Sequence, residues 1–226
     1  MAKSQFDVAR GKTREFVRIN NVEDHMFHGP VSDQYWAEPF RVIVINMESY
    51  GYKDHNEVDR NMLIEWLYDA GHKRTRTTRY TLALLALVLE RVTQGSHPSR
   101  ESIAAAYRNK CLLEQTLDRT VYYNIRSKSN ENKKEDFAAI VAMGPSDIGV
   151  LIWAEILALD PHVLIISGNA GLVALNVLAK LKPTLHLRQQ VSWNGVLIQS
   201  IAHPSRPNYA AWCSAIDGIG NACKNF

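Results

Sequence analysis

The chain has 226 residues, 46% of them hydrophobic, with a formal net charge of +3. That length suits one domain with a substantial core, and the small basic excess neither demands nor excludes an anionic partner. Three widely spaced cysteines, Cys111, Cys213 and Cys223, form no C-x-x-C pair, which argues against a zinc knuckle, an iron–sulfur cluster or a disulfide framework.

The opening residues lack an apolar stretch of signal-peptide type, and no later run approaches the roughly 20 residues that cross a bilayer, so a cytoplasmic protein is expected. Residues 1–40 show no sustained period and read as a short helix or two with loops, packed on the body of a single domain, 1–226. Residues 41–46, Arg-Val-Ile-Val-Ile-Asn, form a β-branched run that reads as a central strand feeding a loop over 47–55. The spacing of Met62, Leu63, Trp66 and Leu67 predicts a helix over 58–70, stopped at Gly71. A second helix, apolar on most sides, is predicted over 81–92, and a third over 102–117, with Ser99 as the N-cap of the stretch that begins at Arg100.

Residues 120–125 read as a second strand and 126–135 as a polar loop; helical character resumes over 145–159 and breaks at Asp160-Pro161. Residues 163–166 are a third strand running into Ser167-Gly168-Asn169, followed by a helix over 170–181. A fourth strand, 196–202, leads into His203-Pro204-Ser205-Arg206 and a last helix over 207–216. Strands alternating with helices predict an α/β fold, a three-layer α/β/α arrangement around a mostly parallel four-stranded sheet.

His-Pro-Ser-Arg occurs twice. The copy at 97–100 sits between two helices and reads as punctuation, whereas the copy at 203–206 follows a buried strand. In a parallel sheet the carboxyl ends of the strands share one rim, where ligands bind. Four polar clusters therefore converge there: 46–51, Asn124, 167–169 and 203–206.

Those clusters, in that order, resemble the motifs of the uracil-DNA glycosylase superfamily over roughly residues 42–212. Asn46-Met47-Glu48-Ser49-Tyr50 stands where the family has a Gly-Gln-Asp-Pro-Tyr loop, Asn124 stands at the base-reading position, and His203-Pro204-Ser205 matches the last motif intact. Asn46 and Ser49 replace the family's glycine and proline. The resemblance implies a uracil-DNA glycosylase-like fold and a monofunctional enzyme that flips a pyrimidine out of DNA and leaves an abasic site, acting as a monomer without a cofactor. It implies catalytic roles for Glu48 and His203, base contacts from Asn46, Met47, Tyr50, Tyr52 and Asn124, and DNA contacts from Ser49, Ser167, Gly168, Ser205, Arg206 and Tyr209.

The chemistry is coherent. Cleaving an N-glycosidic bond builds positive charge on the sugar and negative charge on the departing base, which a carboxylate and a hydrogen-bond donor stabilise. A side-chain amide offers donor and acceptor together to the flipped base. Lys73, Arg74, Arg76 and Arg79 form a basic cluster suited to backbone phosphates or to a solvated helix start. Tyr209 is equally suited to core packing beside Trp212. Two other readings stay open: a catalytically silent DNA-binding member that senses damaged or foreign DNA, and an unrelated α/β enzyme that takes a nucleotide or another small anion at the Ser167-Gly168 turn.

Overall fold

The computed structural model describes residues 2–21, 27–48, 58–68, 75–126, 147–168, 185–204 and 208–224; for residues 47, 48, 66, 124–126 and 147 the description covers the backbone alone. Within these residues the fold is α/β, built on a five-stranded, mostly parallel sheet. The strands are β1 (Val42–Glu48), β2 (Val121–Arg126), β3 (Val163–Ser167), β4 (Gln190–Trp193) and β5 (Val196–Ile201), in the order β2-β1-β3-β5-β4. The first four in that order run parallel, and β4 is antiparallel to β5.

The four predicted strands are all present, but the sheet has five strands rather than four. The added strand, β4, hangs on a two-residue turn, Asn194-Gly195, whose φ values of 48° and 81° are both positive. A type I′ hairpin turn requires that backbone, and Asn-Gly supplies it. Its mixed polarity, Gln-Val-Ser-Trp, hides β4 from a search for apolar runs.

Alternation along each strand sends side chains to two separate cores. Val42, Val44, Tyr122, Val163, Ile165 and Leu197 pack on one face with α3 (Arg60–Tyr68), α4 (Thr75–Gln94), α5 (Arg100–Arg108), α6 (Lys110–Arg119) and α8 (Tyr209–Cys223). Ile43, Ile45, Tyr123, Leu164, Ile166 and Ile198 meet Phe6 of α1 (Ala2–Ile19), Tyr35 of α2 (Gln34–Ala37), and Ile152 and Ile156 of α7 (Asp147–Ala158) on the other. Burial on both faces explains why β1 and β3 read as continuous apolar runs.

Several predicted boundaries move. Residues 2–19 form one 18-residue helix rather than short pieces, its buried stripe being Phe6, Arg10 and Thr13. Arg10 can lie in that stripe because its Nε donates to Glu155 Oε2 at 2.9 Å and its terminal nitrogen to the His28 carbonyl. Tyr123 donates its hydroxyl to the same Glu155 oxygen at 3.1 Å. The helix predicted over 102–117 is two helices, because the Asn109 side chain accepts from Leu112 N and caps a new start. Helix α4 begins at Thr75, six residues ahead of the expected start, since its first turns are also buried. The helix predicted over 170–181 lies outside the described residues. Among the described residues no helix is long and apolar enough to cross a membrane.

Candidate functional site

The sheet has a switch point between β1 and β3. From β1 the chain crosses to β2 on one side, and from β2 it returns past β1 to β3 on the other, so the carboxyl ends of β1 and β3 border a crevice. Asn46 pairs in register with Asn124, and Ile45 with Ile166, which sets Ser167 beside Asn46 on the next strand. Ser167 is in turn paired with Ile201, two residues before His203. By alternation Asn46 and Ser167 both project to the face covered by α4.

Met47 and Glu48 were expected in a loop, and they are instead the last residues of β1. Pairing with β2 continues through Glu48, whose register partner is Arg126. Arg126 was also expected in a loop. It is instead the last residue of β2, one position beyond the predicted strand.

At the end of β3 the chain turns through Gly168 with φ +78°, a conformation that costs an L-residue about 1–2 kcal/mol. The turn brings Gly168 against His203: a Cβ built there would stand 3.5 Å from His203 Cβ and 3.6 Å from Cδ2. His203 itself is exposed, and Pro204 behind it is buried. The β3 and β5 loops therefore form one surface.

Tyr209, the first residue of α8, is half-buried, with its hydroxyl 3.1 Å from that of Tyr80 and the Arg100 guanidinium 5.4 Å from its ring centroid. Burial, then the hydroxyl contact with Tyr209, raises the Tyr80 pKa. This contact fixes the direction of α4: its amino-terminal turns lie where α8 begins, just beyond the carboxyl end of β5. Arg79 lies over Tyr107 at 4.6 Å and donates to its carbonyl at 2.9 Å, while exposed Arg76 lies 5.8 Å from the Tyr80 ring centroid. Ser49, Tyr50, Tyr52, Lys73, Arg74, Ser205 and Arg206 lie outside the described residues.

Among the described residues the rim also holds polar atoms with no partner. Asn46 is 4% exposed, and neither Oδ1 nor Nδ2 makes a hydrogen bond; Ser167 Oγ, at 1% exposure, makes none either. On α4 the hydroxyls of Thr78 and Thr81, at 1% and 0% exposure, are likewise unpaired. An orphaned buried polar group costs about 1–3 kcal/mol, so four such residues at one end of the sheet oppose stability. The sequence carries a sign of the two threonines: they stand three apart on a helix that is otherwise apolar from 82 to 89.

Comparison of the chain with protein-family models, curated proteins and solved structures finds no match in any of the three.

Proposed function

We propose that this chain is a monofunctional DNA glycosylase with a uracil-DNA glycosylase-like fold, in which β4 is an edge addition to the family's four parallel strands. What supports the reading is that the strand ends bearing Asn46 to Glu48, Asn124, Ser167-Gly168 and His203 belong to one parallel rim, with Gly168 packed on His203.

In this reading a pyrimidine leaves the DNA stack and enters the crevice between β1 and β3. Asn124 reads its edge with both donor and acceptor. The C1′–N bond breaks with its electron pair going to the base, and His203 donates a hydrogen bond to the base oxygen where the charge gathers. Glu48 stabilises the sugar cation, orients the water that attacks C1′ and takes up the proton that water sheds; an equivalent proton from solvent neutralises the departed base anion, leaving an abasic site and a free base. No cofactor enters the scheme, and the protein acts as a monomer on DNA.

The test is base release from DNA containing uracil or modified pyrimidines. His203→Ala and Asn124→Ala are each expected to lose about 10²–10³-fold in rate. Release untouched by either change overturns the assignment. Salt-dependent DNA binding with no release from any substrate identifies a silent DNA-binding protein instead.

A further inference from the structure

Asn46 and Ser167 stand side by side on the switch-point strands, and α4, which packs over β1, brings the turn carrying Thr78 and Thr81 to the same end of the sheet. All four are more than nine-tenths buried, and among the described residues none of the hydroxyl or carboxamide atoms of these four side chains has a hydrogen-bond partner. We propose that Asn46, Ser167, Thr78 and Thr81 form one wall of a pocket that takes the polar edge of an uncharged nucleobase, with the two threonines setting which base is accepted.

The inference rests on the glycosylase reading and adds to it two residues of α4. It also assigns Ser167 to the base rather than to a phosphate.

The chemistry of the wall defines the ligand. One carboxamide and three hydroxyls are neutral, and each can both donate and accept. A ring edge that alternates N–H and C=O satisfies such a set, whereas an anion needs a cation or several convergent N–H donors. Among the described residues the buried cations are committed elsewhere. Arg10 is paired with Glu155 on the opposite face of the sheet, and Arg91 lies ten residues along α4, bound to Asp217 at 2.9 Å. Arg79, between the two threonines on the helix, is turned onto Tyr107.

Structural packing alone would favour valine over threonine at 81, since valine has the same shape without the orphaned hydroxyl. A binding role reverses that preference when ligand is present. Thr81→Val and Ser167→Ala therefore separate the two.

Thermal denaturation and calorimetric titration with free uracil, thymine, cytosine and hypoxanthine give the test, run beside base release from DNA. At least one base is expected to raise the wild-type Tm. Thr81→Val is expected to weaken that binding at least tenfold while leaving the ligand-free Tm unchanged or higher. The proposal is overturned if none of the four bases shifts the wild-type protein, if Thr81→Val binds as the wild type does, or if it lowers the ligand-free Tm. Wild-type base release that Thr81→Val leaves intact sinks the pocket wall and keeps the glycosylase. Base binding that depends on Thr81, with no release from any DNA, sinks the glycosylase and keeps the wall.

Discussion

Gly168 and His203, on neighbouring loops after β3 and β5, face each other so closely that a Cβ built on Gly168 would stand 3.5 Å from His203 Cβ, and Gly168 turns the chain there at φ +78°. An alanine there faces a backbone cost and no steric one. The left-handed conformation is disfavoured by about 1–2 kcal/mol, whereas the new methyl would stand 3.5 Å from His203 Cβ and 3.6 Å from Cδ2, ordinary van der Waals distances. Gly168→Ala is expected to lower stability by that amount and to slow base release by more than stability accounts for, because relief of the backbone strain moves the turn that faces His203. Comparing Tm with single-turnover release rates checks both parts; a variant with wild-type release separates Gly168 from the site.

Two glycines of α8 provide a contrast that decides between helix propensity and packing. A Cβ at Gly220 would fall 2.5 Å from Arg91 Cγ and 2.8 Å from its Nε. Arg91 cannot easily yield, since it donates to Asp217, Asn221 and the Gly95 carbonyl. At Gly218 the nearest atom is Gln190 Oε1 at 2.9 Å, the free end of an exposed side chain. Replacing glycine in a helix interior gains about 1 kcal/mol from propensity. Gly218→Ala should keep that gain, whereas Gly220→Ala should lose about 2 kcal/mol net as the Arg91 bonds break. Urea denaturation of both variants measures the difference in sign.

What the sequence revealed depended on which signals have a single physical cause. Strands buried on both faces leave apolar runs that nothing else produces, so β1, β2, β3 and β5 were legible, and so was the shared rim that follows from their parallel order. Helix α1 was not, because its buried stripe contains Arg10, whose burial depends on Glu155, 145 positions away. The signal for β4 lies in its turn and not in its strand: Asn194-Gly195 is a hairpin turn whatever the polarity of its flanks. At the site, Asn46 and Ser167 were legible as strand ends. Thr78 and Thr81 left only their spacing beside an apolar helix as a sign, since burial of a helix's first turns depends on how α8 packs against it.

The amide of Arg41 donates to His162 Nδ1 at 3.0 Å, and the imidazole stacks on Phe40 with centroids 5.3 Å apart. Burial, with the Arg41 charge adding to it, lowers the His162 pKa below its ordinary 6.5. The unfolded chain therefore binds a proton more readily than the folded one between the two pKa values. The stability from this contact is complete above pH 6.5, falls as the pH drops through the folded pKa, and levels off below it. Tm measured from pH 8 to pH 4 should show that decline, and His162→Asn should flatten it.

The two His-Pro-Ser-Arg copies make opposite predictions from identical letters. His97 is 74% exposed and 2.8 Å from Asp217 Oδ1, and Ser99 caps α5 by accepting from Ser102 N while the Ser102 hydroxyl accepts from Ser99 N. That copy closes α4 and starts α5, so Ser99→Ala should cost about 1 kcal/mol of stability, and His97→Ala should leave base release unchanged. His203 follows β5 at the rim and faces the Gly168 turn, so His203→Ala should abolish most release while leaving the Tm close to wild type. Running His97→Ala, Ser99→Ala and His203→Ala together, with release and Tm read on the same preparations, checks the assignment. Loss of release in His97→Ala at unchanged Tm would show that the repeat works through both copies.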